Sequence, residues 1–79
     1  MNHHTLKIKE EYYKAKMRGD KLFEIRFNDR EFQRGDIVSY TDCDAFPLEG
    51  KFQITYVTGF SQKEGWVVFG EKELTGEDR

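Results

Sequence analysis

A chain of 79 residues has room for one small domain, which buries roughly 60% of the surface its unfolded chain exposes. Apolar residues make up 37% and charged residues 35%, so the core must come from few, large side chains. Seven Phe, four Tyr and one Trp supply that bulk and argue against a disordered chain, while a net charge of −2 argues against a general nucleic-acid coat protein.

The charge is unevenly spread. Residues 1–34 carry a balance of +3 and residues 35–79 a balance of −5, which reads either as a local basic site on an acidic body or as ordinary solvated charge clustered by chance. Cys43 is the single cysteine, which rules out an internal disulfide and a cysteine-based zinc cluster. No apolar run approaches the ~18 residues of a membrane span and no charged-then-apolar leader opens the chain. A cytoplasmic, soluble monomer without metal or cofactor is the expectation. It is read as a single domain over residues 1–79, ordered over about 4–73, with a frayed tail at 74–79.

Met1 to Thr5 is polar and includes His3-His4, two side chains that a strand would send to opposite faces. Leu6-Lys7-Ile8 reads as a short strand with Lys7 opposite its neighbours. Lys9 to Arg18 reads as a helix whose narrow apolar stripe is Tyr13 and Met17, flanked by Tyr12 and Ala15. Glu10 and Glu11 in its first turn and Lys16 and Arg18 in its last complement the helix dipole. Gly19 supplies the left-handed position that stops it.

Lys21–Phe27 alternates and predicts a strand that buries Phe23, Ile25 and Phe27 and presents Glu24, Arg26 and Asn28. Lys21 falls on the apolar parity, but at a strand's first residue parity does not set its direction. Asn28-Asp29-Arg30-Glu31 and Gln33-Arg34-Gly35-Asp36 read as turns, and Ile37–Thr41 as the next strand. Asp42–Glu49, with the single proline, reads as a surface loop suited to induced fit. Gly50–Phe60 then alternates, placing Phe52, Ile54, Tyr56, Thr58 and Phe60 on one side. Trp66–Phe69 is apolar on both parities, as a strand covered twice would be. About five strands and one helix predict an α+β, mainly β fold: a small barrel with the helix beside it.

Arg-Gly-Asp occurs twice, at Arg18-Gly19-Asp20 and Arg34-Gly35-Asp36, and both copies read as glycine turns. A glycine-rich phosphate loop and a serine nucleophile elbow are missing from the sequence. The remaining candidates are Lys21, Glu24, Arg26 and Arg30. Two strand residues at positions i and i+2 lie about 6.5–7 Å apart on one face, so Glu24 and Arg26 can address one bound group. Arg26 offers a planar fork of donors for phosphate or a carbonyl-rich base edge. Lys21 offers a point charge, or an amine for base or nucleophile work if desolvated. Glu24 can accept from an exocyclic amino group or orient Lys21. Tyr12 or Tyr40 can stack on a base.

The run Gly19-x-Lys21-x-x-Glu24-x-Arg26 resembles the G-x-K-x-x-E-x-R signature of ASCH domains, relatives of the RNA-binding PUA fold. His4-x-Leu6-Lys7-Ile8, the tyrosine-bearing helix, Asn28-Asp29-Arg30 and Phe32-x-x-Gly35-Asp36 extend the likeness to small stand-alone bacterial and phage ASCH-like proteins. The resemblance implies a PUA-like β-barrel that binds single-stranded RNA, a nucleotide or a nucleoside in a cleft of Lys21, Glu24 and Arg26, with Arg30, Lys7 and His4 along the approach. It also implies an alternative, since some ASCH proteins are amidohydrolases acting on acylated nucleosides such as N4-acetylcytidine. Lys21 and Glu24 would then be catalytic, although those hydrolases have a threonine where Glu24 stands here. A second acid would come from Glu71 or Glu73. A protein-interaction domain of transcription or RNA metabolism is the third reading.

Overall fold

The computed structural model describes residues 2–74. Strand β1 (His3–Lys7) leads into helix α1 (Glu10–Met17), followed by β2 (Phe23–Phe27), β3 (Ile37–Thr41), β4 (Pro47–Thr58) and β5 (Trp66–Leu74). The strands form one five-stranded sheet in the order β1-β3-β4-β5-β2, curled into a half-barrel with the short helix α1 beside it. β1 runs parallel to β3 and every other pairing is antiparallel. The outermost strands are therefore β1 and β2, which run in opposite directions and do not pair. The opening between them is where the barrel stays unclosed.

The helix ends as its sequence requires. Gly19 takes φ +84°, its N–H donates to the Lys16 carbonyl and the Asp20 N–H donates to the Ala15 carbonyl, both at 2.9 Å. This paired closure satisfies two carbonyls that the helix would leave open. The second Arg-Gly-Asp copy is also a turn, with Gly35 at φ +94° and Asp36 buried.

The core is built from one parity of each strand. Leu6, Val38, Tyr40, Phe52, Ile54, Val67 and Phe69 interlock inside the curl, with Ile8 and Phe32 completing the cluster. Phe32 lies 5.0 Å from Phe69, ring centroid to centroid, and Tyr40 lies 5.6 Å from Phe52 at an edge-to-face 71°. Such pairs contribute about 0.5–1.5 kcal/mol beyond their burial.

Four expectations about faces are corrected. On β2 the pattern is inverted: Glu24 is buried at 4% exposure, whereas Phe23, Ile25 and Phe27 are 42%, 51% and 52% exposed. The inward site opposite Glu24 is occupied by cations, and an acid meets them better than a phenyl ring does. On α1 the residue turned inward is Lys16, at 1% exposure, while Tyr12 and Met17 face out. On β4 the alternation breaks at a bulge between Ile54 and Tyr56. The extra residue flips the parity, so Tyr56 and Phe60 leave the face of Phe52 and lie exposed. β5 is not covered on both sides, because Trp66 stays 40% exposed.

Boundaries also move: β1 runs from His3 to Lys7 instead of Leu6 to Ile8, and β2 starts at Phe23, leaving Lys21 before the strand. β4 begins at Pro47, with Thr41 opposite it, a position where the missing N–H of proline is tolerated. The expected loop is thereby shortened to a turn in which Asp42 Oδ1 accepts from the N–H groups of Asp44 (2.9 Å) and Phe46 (3.0 Å). β5 continues to Leu74, so Glu71 and Glu73 lie within the strand instead of after it. Leu74, expected to open a frayed tail, is instead the last residue of the strand, and the rest of that tail, residues 75–79, lies outside the described residues.

Candidate functional site

Glu24 is the centre of the arrangement. It lies on β2 opposite Phe69 of β5, with its side chain directed into the half-barrel. Its Oε2 forms an ion pair with Lys16 Nζ at 2.9 Å and accepts from Lys21 Nζ at 3.0 Å. Its Oε1 accepts from Arg26 Nε at 3.1 Å and Nη2 at 3.0 Å. One carboxylate thus gathers three cations from the helix, the segment after it and the strand.

Lys16 reaches this point because it occupies the inward face of α1, one turn after Tyr13, whose hydroxyl donates to the Glu49 carbonyl at 3.0 Å. The ammonium also donates to Glu71 Oε1 and, at 3.3 Å, to the Lys21 carbonyl. The Tyr40 hydroxyl donates to Glu71 Oε2 at 2.7 Å. The ammonium is therefore held between Glu24, Glu71 and the Lys21 carbonyl, both Glu71 oxygens have partners, and no buried side-chain N or O is left unpaired among the described residues.

The two buried acids differ in their balance of charge. Burial opposes ionisation of Glu24, but the bonds and charges of Lys16, then Lys21, outweigh it and hold the carboxyl below the usual range. At Glu71 burial wins: it pushes the carboxyl up, the Glu24 charge adds to the shift, and Lys16 and Tyr40 offset only part of it. Burial, then Glu71 and Glu24, carry the Tyr40 phenol far above its ordinary range. Neighbouring carboxylates that share one lysine are expected to diverge in this way.

Lys21 and Arg26 form the rim of this network, each partly exposed. Lys21 Nζ donates to the Phe23 carbonyl at 3.0 Å and sits 5.3 Å from the Tyr12 ring and 4.8 Å from the Phe23 ring. Arg26 Nη2 crosses the opening to donate to the Lys7 carbonyl at 2.9 Å, and Arg30 Nη1 does the same to the Thr5 carbonyl at 2.8 Å. Two guanidinium groups thus tie β2 and its following turn to the free edge of β1, where a backbone ladder would have closed a barrel.

Around these groups lies a cleft of about 630 Å³, within the ~300–1,000 Å³ range of small-ligand sites. Its basic lining comes from Lys7, Lys9, Lys21, Arg26 and Arg30, against the acids Glu24 and Asp29, and its aromatic lining includes Tyr12, Phe23, Phe27 and Trp66. Five of the six expected site residues therefore meet there. The sixth, His4, does not. It is buried on the core face of β1 that it shares with Leu6, outside the cleft lining, with Nε2 2.8 Å from Asp36 Oδ2 and its ring 4.8 Å from that of Phe32. Tyr40 lies beneath the cleft, not in its lining, so of the two expected stacking tyrosines only Tyr12 is available.

Along the sequence Lys16 reads only as a last-turn charge of the helix and Glu71 only as an alternative acid beside Glu73, and nothing brings either to Glu24. A signal for Glu71 exists: it shares a parity with Val67 and Phe69, which are both buried, and the same alternation carried on turns it inward. Two inward acids then demand a buried cation, and Lys16 is three residues from Tyr13 on the inner face of a helix short of apolar residues.

The profile of a family described as a domain of unknown function, DUF3850, matches residues 3–70. The chain belongs to that family. Comparison with curated proteins gives no match. The match spans the signature glycine, Lys16, Lys21, Glu24, Arg26 and Arg30, and stops one residue before Glu71. Among the described residues of this DUF3850 domain no helix is long and apolar enough to cross a membrane. No cluster of three or more His, Cys, Asp or Glu is arranged to hold a metal ion among them.

Proposed function

We propose that this DUF3850 domain is an ASCH-type, PUA-like module that binds single-stranded RNA or a nucleotide in the cleft between β1 and β2. The observation that carries this reading is the triple use of Glu24. The carboxylate fixes Lys21 and Arg26 side by side at the cleft rim, where each keeps N–H groups without a protein partner among the described residues. Phosphate oxygens are the natural acceptors for such donors. The aromatic rings beside them give bases a surface to stack on, which favours unpaired nucleotides over a duplex groove. Glu24 is thereby a positioning residue, since its oxygens are already filled by protein donors.

Hydrolysis of an acylated nucleoside draws less support. The Lys21 ammonium already donates to Glu24 and to the Phe23 carbonyl, and the Glu71 side chain is wholly enclosed, beyond the reach of a substrate in the cleft. A protein-interaction role has the exposed Phe23, Ile25 and Phe27 in its favour, but the cations Lys21, Arg26 and Arg30 that line the same cleft suit nucleotides better.

The test is equilibrium binding of short single-stranded RNA to the wild type and to Lys21→Ala and Arg26→Ala. Each variant should weaken binding at least tenfold, about 1.4 kcal/mol, and raised salt should weaken the wild type. Equal binding by all three proteins would refute the reading.

A further inference from the structure

The two edges that face each other across the opening carry a regular pattern. On β2 the Leu22 carbonyl accepts from Glu71 and the Asn28 N–H donates to Gly65. The alternation of an antiparallel pair then turns the backbone groups of Phe23, Ile25 and Phe27 away from β5, toward the opening. On β1, bonded to β3 on its other side, the Thr5 and Lys7 carbonyls face the same opening and receive Arg30 and Arg26. Those carbonyls are two residues apart on one strand, ~6.5 Å at ~3.3 Å per residue. The strand edge thus spaces the two guanidinium groups at about the step between successive phosphates of an extended single strand. Lys21 continues the row on the far side of Arg26, through the shared Glu24 carboxylate.

Each member of the row keeps donors to spare among the described residues. Lys21 uses its ammonium on Glu24 and the Phe23 carbonyl, leaving one N–H. Arg26 spends Nε and Nη2 on Glu24 and Lys7, leaving Nη1. Arg30 spends one N–H on Thr5, with the Asp29 carboxylate 3.9 Å from Nε. Aromatic surface stands at both ends: Tyr12 and Phe23 flank Lys21, and Phe27 meets Trp66 edge-to-face at 6.0 Å, both partly exposed.

We infer that the cleft is a track for three consecutive phosphates of an extended RNA strand, held in the order Lys21, Arg26, Arg30, with bases stacked at the two aromatic ends. This rests on the RNA-binding reading and adds to it a site length, a direction along the β1 edge and a role for Arg30, which lies outside the Lys-Glu-Arg signature.

The experiment is a salt titration of binding with 5′-phosphorylated triuridylate and, in parallel, uridine 5′-monophosphate. Three phosphate contacts at ~0.7 released counterions each give a log–log salt slope of about −2, an affinity loss of roughly twentyfold between 50 and 200 mM salt. The trinucleotide should bind at least tenfold more tightly than the monophosphate. Arg30→Gln, shown to be folded by an unfolding midpoint near that of the wild type, should bring the slope to about −1.4 and narrow the gap between the two ligands. Equal affinity for both ligands with a slope near −0.7, or an Arg30→Gln protein indistinguishable from wild type, would overturn the track while leaving a single-nucleotide site standing. Failure of every RNA and nucleotide to bind would remove both the track and the reading beneath it.

Discussion

Lys16 Nζ lies 2.9 Å from Glu24 Oε2, and both side chains are cut off from solvent. The contact joins the helix to the strand that carries the signature, and through Glu71 it reaches β5 as well. A buried ion pair adds little net stability against an apolar replacement of the whole group, but removing one partner strands the others. The network therefore dictates where Lys21 and Arg26 point, and its cost when broken is large.

Lys16→Met keeps the length of the side chain and leaves Glu24 and Glu71 facing each other without their shared cation. The expected loss is about 3–5 kcal/mol, a large part of the ~4–12 kcal/mol available to a chain of this size. Urea unfolding measures it. Adding Glu71→Gln to Lys16→Met should lose less than the sum of the two single changes, since the second removes the repulsion that the first creates.

The acid limb of stability has two opposing parts. The folded-state carboxyls of Glu24 and Asp36 sit below their unfolded values. Burial opposes this at Asp36, but bonds from His4, Asn2 and Gln33 outweigh it. Their contribution is complete above the unfolded carboxyl range, ~4, and is lost as pH falls through the lower folded values. Glu71 is raised, so the folded state takes up its proton first, and a fall in pH through that folded value stabilises. Chemical unfolding between pH 7 and 3 should show Glu71→Gln losing this stabilising phase and declining steadily. A Glu71→Gln curve parallel to the wild type would contradict the assignment.

Phe27 and Trp66 are expected to matter for binding more than for folding. Phe27 lies over Gly65, whose φ of +85° and 2.7 Å approach of a notional Cβ to the Phe27 ring leave no room for a side chain. Trp66→Ala should reduce RNA affinity by about 1–3 kcal/mol, the range for one stacked base, while shifting the unfolding midpoint little. Gly65→Ala should displace the Phe27 ring and weaken binding in the same direction, with an added stability loss from the positive φ. Fluorescence titration of Trp66 in the Gly65→Ala protein and of a labelled RNA in both variants measures these effects.

Much of this architecture was legible in the chain. Gly19 and the charge order of Glu10 to Arg18 located the helix, Ile37–Thr41 was read to the residue, and the five-strand, one-helix composition of a small barrel followed from the turns between them. The faces were harder. A parity rule assigns the apolar set of Phe23, Ile25 and Phe27 to the core, yet the interior opposite them already held Lys16 and Glu71, which local periodicity does not connect to β2. The bulge beside Thr55 likewise leaves no mark in the alternation of β4, because an extra residue changes faces without changing composition. His4 was grouped with the site through its place before Leu6-Lys7-Ile8. Its actual partner, Asp36, is brought to it by the parallel pairing of β1 with β3, a long-range contact.

The most direct measurement is a titration of the ¹⁵N-labelled domain with short single-stranded RNA, followed by backbone amide and arginine side-chain NMR signals. The account predicts shifts concentrated in Thr5–Lys9 and Lys21–Arg30, with the Nε–H signals of Arg26 and Arg30 among the largest and the β3–β4 turn unmoved. Shifts centred on the β3–β4 turn or the exposed face of β4, with Lys21, Arg26 and Arg30 silent, would contradict it.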